Sequence, residues 1–360
     1  MNIDNVINYL KSYNNKDIKL MEICGTHTAS IAENAIQSII NDKIHLISGP
    51  GCPVCVTVSS YVDRLCELAL QDDNVIVTFG DMIRVPGRKY ALKDIKSQGA
   101  DIRMVYSPMQ ALDFARRELD KTFIFAAVGF ETTTPIYALL IDRAIRDKIS
   151  NIKLLTALKT MPAVVDRLCG NGVDIDGFIA PGHVCAVTGA EAFLPLAEKY
   201  NIPFAVSGFE AEEILSAIYA LVKTIDKGEG LGTVMNLYKS VVRQERNEKA
   251  FDIVNKYFVP CSASWRGLGK IESSGLILRD EYSRFDAGSA DLTADFSKSK
   301  ASDAGAHRSD FQNQRAVCAA KLSRAKKRRA NAHCLKKYAR RKTRWAHAWF
   351  PAREHVLTFL

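Results

Sequence analysis

An α/β fold of βαβ units, arranged as two similar parallel-sheet lobes, is what this sequence predicts, and three observations predict it. Short β-rich apolar runs recur at residues 19–23, 44–48, 74–79, 102–106, 122–128, 152–157, 177–180 and 203–207. Amphipathic segments of helical period, at 59–69, 109–119, 134–146 and 191–199, separate most of them. Gly- and Pro-rich turns follow the runs. Such alternation argues for parallel sheets. Right-handed crossovers then put each strand-to-helix connection on one sheet edge. A division near residues 147–151 sets a first lobe over 1–148 and a second over 149–227. A helical or third-domain portion follows over 228–287, and then a basic tail over 288–360.

The connections hold the chemistry-bearing residues. They include Cys24-Gly25-Thr26-His27-Thr28, the turn from Gly49 to Cys55, Gly80-Asp81, Gly129-Phe130-Glu131, Pro181-Gly182-His183-Val184-Cys185 and Gly208-Phe209-Glu210. Ligands of open α/β sheets bind beyond the carboxyl ends of the strands. Turn closure explains the Gly and Pro, but not the thiols, imidazoles and carboxylates that share these turns.

Composition removes other classes. Residues 291–360 carry 17 Lys and Arg against 5 Asp and Glu, whereas the first 290 residues carry 32 against 35. The body is therefore mildly acidic, and specific nucleic-acid binding by the whole chain has no support. No apolar run nears the roughly 20 residues that span a bilayer. The first residues also lack the basic and apolar regions of a secretory signal, so a cytoplasmic protein is expected. In that compartment nine cysteines do not make a disulfide framework.

Cys24 and His27 combine a soft thiolate with a borderline imidazole, a set that suits iron or zinc. A lone C-x-x-H pair is weak evidence. Cys52 and Cys55 form a C-x-x-C pair running into a helix, where the dipole favours thiolate. Structural zinc wants four ligands, often as two such pairs, and no second C-x-x-C exists here. Dithiol/disulfide chemistry is the better reading. Asp81, Glu131, His183, Cys185 and Glu210 fall at the same edge. Cys66 sits among Leu65, Leu68 and Ala69 and reads as core, and Cys169 has no assigned role.

The segments from Met21 to Thr28, Gly49 to Cys55, Phe79 to Gly87, Gly129 to Pro135, Ala180 to Val184 and Trp265 to Gly269, in this order, resemble the HypD family of nickel–iron hydrogenase maturation factors. The resemblance runs to about Ala287. It implies two α/β lobes around a cleft plus a third, cluster-bearing domain, here incomplete. It implies a scaffold more than a turnover enzyme. Such a scaffold binds iron as an Fe(CN)2(CO) group, works with a HypC-type chaperone, and receives cyanide from HypE. Cys24 and His27 match the positions tied to iron, Cys52 and Cys55 the redox pair, and Thr26, Thr28, Asp81, Glu131 and His183 the cleft motifs. The rival reading is a thiol-disulfide oxidoreductase working through Cys52 and Cys55 alone.

The end of the chain departs from the family. Relatives carry four cysteines for a 4Fe–4S cluster in segments resembling CTPxxPxGxCMVSSEGxC. Residues 338–359 have none. Back-translated with allowed synonymous codons and read one base out of register, they give CTPENPLGTCMVSSEGTCSHF. The tail is therefore read as a frameshift product beginning after Ala287, with Cys318 and Cys334 not cluster ligands and the tail itself unpacked.

Overall fold

The computed structural model describes residues 2–289. In chain order the elements are α1 (Ile3–Ser12), β1 (Ile18–Glu22), α2 (Gly25–Glu33), β2 (Ile44–Ser48), α3 (Ser59–Ala69), β3 (Asn74–Thr78), α4 (Leu92–Ser97) and β4 (Ile102–Met104). Then come α5 (Met109–Arg117), β5 (Thr122–Gly129), α6 (Thr134–Arg146), β6 (Ile152–Lys159), α7 (Met161–Gly170), β7 (Gly177–Pro181), α8 (Gly182–Thr188) and α9 (Leu194–Tyr200). The last are β8 (Phe204–Ser207), α10 (Ala211–Lys227), β9 (Val234–Asn236), α11 (Glu248–Tyr257), β10 (Phe258–Trp265) and β11 (Gly269–Leu278).

The α/β expectation holds, with two sheets. One has the order β2-β1-β7-β8-β9, and the other β10-β11-β6-β5-β3-β4. The first is parallel throughout. In the second, β3 to β6 run parallel and the β10–β11 hairpin adds antiparallel to β6.

The lobe boundaries differ from the sequence reading. A cut near 147–151 would part β5 from β6, which pair over seven residues from Phe123↔Ile152 to Gly129↔Leu158. β1 pairs with β7 instead, at Leu20↔Gly177, Met21↔Phe178 and Glu22↔Ile179. Each lobe is thus discontinuous. Strand count and spacing do not reveal such swaps, because a crossover between sheets looks like one within a sheet. Nor does 228–287 form a helical third domain. Gly228, Gly230 and Gly232 all take positive φ, which stops α10 and admits β9; the hairpin then extends the second sheet. The segment expected as a helix at 191–199 is a 3-10 turn followed by α9, since Pro195 belongs in a helix's first turn.

Apolar faces explain the layers. α1 and α10 bury Val6, Leu10, Ile214, Ile218 and Leu221 on one face of the first sheet, against Leu20 and Ile179. In the second sheet, α5 and α6 cover one face and α3 and α4 the other. A further core joins the lobes: Met21, Ile23 and Val56 pack with Phe130, Met161, Val184 and Trp265. The fold continues past Ala287, where the tail was expected to begin. Asp286 accepts the Ser289 amide, and Ser289 Oγ accepts from Thr156 N at 2.8 Å. The remaining tail expectations lie outside the described residues.

Splitting the chain between residues 148 and 149 separates β5 from β6 and β1 from β7. Each fragment expressed alone is expected to give the narrow amide dispersion of an unfolded chain in NMR spectra, and co-expression to restore a folded spectrum. A folded 1–148 fragment would contradict this topology.

Candidate functional site

Cys24 follows β1 by two residues and caps α2, with extended dihedrals of φ −148° and ψ 122°. His27 therefore lies in the first helical turn rather than in an open loop. His183 and Cys185 likewise sit in α8, and Asp81 in a 3-10 turn after β3. The Cys24 thiol is buried, 8% exposed. Burial pushes its pKa up, opposed by the His27 and Thr26 amides that point at the sulfur.

The Gly49–Cys55 turn lies against this cap. Gly25 N donates to Gly51 O at 2.9 Å. A Cβ on Gly51 would come within 2.1 Å of Cys24 N, and one on Gly25 within 3.3 Å of Cys52 Cβ. Only glycine at 51 permits this approach. The turn is also the first crossing of the chain between the lobes, and it is held from the second sheet. Arg266 N donates to Val56 O at 2.8 Å and Arg266 Nε to Thr57 O at 2.7 Å.

Cys52 is partly buried and Cys55 exposed. The Cys52 pKa is lowered to about 7, chiefly by hydrogen bonding from the Cys55 side chain and against the cost of burial; the Cys55 and Val54 amides also lower it, while Asp81 raises it. Cys55 N meets Cys52 Sγ at 3.3 Å. Asp81 is thereby placed within electrostatic reach of the dithiol.

His27 is wholly buried. Its Nε2 meets Gly208 O at 2.9 Å, so Nε2 carries the proton and donates. Nδ1, the nitrogen nearer the α2 backbone, is buried without a partner. Burial lowers the ring pKa to about 4, against hydrogen bonds at Gly208 and Ser207 that raise it. Phe209 meets the His27 ring at 4.8 Å and stacks on His183 at 4.1 Å.

Glu131, from the second sheet, holds Met161 N at 2.7 Å through Oε1, while its buried Oε2 has no partner. Burial raises its pKa to about 7. The Cys185 thiol is wholly buried and pushed up by burial, with Glu131 and Cys24 adding. That places Cys185 within electrostatic reach of groups from both sheets. Thr28 donates its hydroxyl to Glu22, and Thr26 contributes through its amide at Cys24.

Sequence reasoning passed over Glu22. It is 2% exposed, accepts Cys24 N at 3.0 Å, and has its pKa raised to about 7 by burial, against hydrogen bonds from Thr28, Cys24 and Ser48. An acidic residue at an inward strand position, two before a thiol, was the available signal. Among the described residues, no three His, Cys, Asp or Glu side chains are grouped to hold a metal ion. The structure therefore brings the site residues into one neighbourhood without a complete protein coordination sphere. The Cys24–His27 turn touches the Cys52 turn directly. Asp81, Glu131 and His183 approach through Cys52, Cys185 and Phe209.

Fold and site together define a two-lobed α/β protein whose sheet rims meet around thiols, a neutral imidazole and buried carboxylates. The chain belongs to the HypD family: the family model described as the hydrogenase formation hypA family matches residues 2–311. It is 40% identical over 274 residues to the hydrogenase maturation factor HypD of Rhodobacter capsulatus, covering 76% of this chain and 72% of that protein. Similarity to a putative hydrogenase expression/formation protein of Methanocaldococcus jannaschii is 38% over 269 residues, covering 75% and 74%. The Escherichia coli hydrogenase maturation factor HypD is 36% identical over 277 residues, covering 76% and 73%. The chain is thus a hydrogenase maturation factor of this family, and the match reaches beyond Ala287.

Two outcomes follow from this geometry. Gly51→Ala drives a methyl into the Cys24 backbone and is expected to lower unfolding free energy by about 2–3 kcal/mol, read by urea denaturation; an unchanged midpoint would contradict the close approach. The folded His27 pKa lies below the ordinary 6.5, so its protonation opposes folding. The stability of the neutral ring is present above pH 6.5 and is lost as pH falls toward 4. Nitrogen-15 NMR should show a neutral ring with protonated Nε2 at pH 6; an imidazolium there would contradict the assignment.

Proposed function

We propose that this chain is a scaffold on which iron is held while an Fe(CN)2(CO) group is assembled for a nickel–iron hydrogenase. The observation that carries the reading is the buried, unpartnered Nδ1 of His27 beside the Cys24 cap. A buried polar atom without a partner is costly in a folded protein, and a soft cation relieves that cost while drawing the proton off Cys24. Imidazole and thiolate both suit iron. Two protein donors leave the other coordination positions for ligands that are not protein, which is the requirement for an iron that gains cyanide and carbon monoxide.

Each neighbour has a role in this reading. Glu22 fixes the Cys24 amide and stands ready for the thiol proton. Gly208 O sets the His27 tautomer, and Phe209 with His183 walls the ring. Thr26 and Thr28 complete the turn around Cys24. Cys52 and Cys55 are the dithiol of this reading: closing a disulfide passes their two electrons and two protons to an oxidised group bound at the iron position, which is reduced in the same step. The lowered Cys52 pKa supports that chemistry. Glu131 supplies a buried carboxyl from the opposite lobe.

A HypC-type chaperone and HypE as partners rest on family membership, and the mildly acidic body speaks against a specific nucleic-acid partner. A cytoplasmic location likewise rests on family membership; among the described residues, no helix is long and apolar enough to cross a membrane. The described residues do not fit a 4Fe–4S cluster, since no group of thiols is assembled for one. The segment where relatives carry the cluster cysteines lies outside them.

Anaerobic titration with ferrous iron tests the proposal. Cys24→Ser and His27→Ala are each expected to weaken binding by more than about 100-fold, the upper end for changes that only support a metal ligand. Cys52→Ser should keep the iron and lose the dithiol couple. Unchanged iron affinity in Cys24→Ser, with loss only in Cys52→Ser, would instead favour the oxidoreductase reading. Iron and acid-labile sulfide analysis of the reconstituted full chain is expected to show less than a stoichiometric four-iron cluster.

A further inference from the structure

Between β3 and α4 the chain makes a small hairpin that neither the core nor the proposed iron site explains. Pro86 bridges Ala91 in antiparallel register, and Gly87 N donates to Tyr90 O at 2.9 Å. The base of the hairpin is fixed. Ala91 and Leu92 are buried, and Val85 packs on the same core as α3. Asp63 of α3 accepts Arg88 N at 2.8 Å. A Cβ on Gly87 would meet Asp63 Oδ1 at 2.4 Å, so the hairpin lies directly on that helix. The tip is in solvent. The Arg88 side chain is 70% exposed, Tyr90 is 48% exposed, and Lys89 between them is exposed as well.

This hairpin stands beside the dithiol. Arg266 joins the two: its Nε donates to Thr57 O at 2.7 Å and its Nη2 to Pro86 O at 3.4 Å. Val54, between the two cysteines, packs on the same core as Val85. Cys55 is the exposed member of the pair, so a protein that reaches it also meets the hairpin. Charge marks the same place. Residues 82–93 hold Arg84, Arg88, Lys89 and Lys93 and no acidic residue, within a body of 32 Lys and Arg against 35 Asp and Glu. Asp63 faces Arg88 at 3.6 Å and Asp94 faces Lys93 at 3.9 Å. Among the described residues, the exposed Arg84 and Lys89 have no ion-pair partner. Four cations around one turn match a cluster of carboxylates, whereas a phosphate backbone calls for a longer basic stripe. The acidic body repels an acidic protein elsewhere, so attraction selects this face. Tyr and Arg on a fixed base are side chains that carry binding energy at protein interfaces.

We propose that the 86–91 hairpin is the docking surface for an acidic dithiol protein that reopens the Cys52–Cys55 disulfide. The proposal rests on the dithiol role given above. Closing that disulfide consumes the pair, and a further round needs it reduced. A thiolate of the partner attacks one sulfur of the pair, which forms a mixed disulfide and releases the other sulfur as a thiol. The partner's second thiol then displaces the mixed link. The partner leaves as a disulfide, and Cys52 and Cys55 regain two electrons and two protons.

Reduction of the diamide-oxidised full chain tests this. The reductants are a thioredoxin of net negative charge and dithiothreitol, and peptide mapping of the Cys52–Cys55 disulfide is the readout. At low ionic strength, the double variant Arg84→Glu, Lys89→Glu is expected to slow the thioredoxin reaction at least about tenfold, the low end of electrostatic steering. Added salt should slow the wild type and bring the two rates together. Dithiothreitol has no protein surface to dock and should reduce both alike. Lys89→Glu alone gives the same readout where the double variant does not fold. Equal thioredoxin rates in the wild type and whichever variant folds, or a slowing shared by dithiothreitol, would overturn the docking surface and leave the dithiol reading standing. A chain that forms no Cys52–Cys55 disulfide would overturn both. Suppression of the thioredoxin reaction by an equimolar RNA oligonucleotide would overturn the choice of a protein partner.

Discussion

The structure depends on the backbone contact between the cap of α2 and the turn after β2. Gly25 N bonds to Gly51 O, and Gly51 packs against Cys24 with no room for a side chain. That contact joins two strand ends of the first sheet into one surface. It also anchors the segment that carries the chain to the second sheet. The dithiol is consequently fixed where one lobe hands over to the other. Arg266 secures the same segment from the far side, its amide donating to Val56 O and its Nε to Thr57 O. Neither rim turn has this geometry by itself.

The second organising feature is the burial of ionisable groups at the rims. Glu22 and Glu131 are raised toward neutrality, Cys24 and Cys185 hold their protons, and His27 is kept uncharged. Desolvation drives all five shifts, each in the direction that removes charge. Cys52 goes the other way, because its neighbour donates a hydrogen bond to the thiolate. Perturbed groups gathered in this way mark functional sites. Here they separate a Cys52 thiol that ionises near neutral pH from a thiol–imidazole pair that stays uncharged there.

Much of this was legible in the sequence, and the illegible part has definite causes. The β-rich runs located β1 to β8 to within a few residues, because apolar runs between helical patterns are local signals. The thiols and imidazoles stood out since Gly and Pro turns do not require them. Lobe membership was not legible: β6 follows β5 inside one sheet, whereas β1 waits for β7, and nothing in either run specifies its partner. The helical positions of His27 and His183 were hidden because α2 and α8 both open on a glycine soon after a strand, which reads as a turn. Glu22 was masked by its place within a strand.

The central claim is that one thiolate and one imidazole from the α2 cap hold the iron. X-ray absorption fine structure of the anaerobic, iron-loaded full chain measures this directly. The account predicts one sulfur and one imidazole nitrogen among the nearest neighbours, with light atoms filling the rest. Two or more sulfurs would place the metal on the dithiol, and a shell of oxygen alone would remove it from the cap; either result would contradict the account.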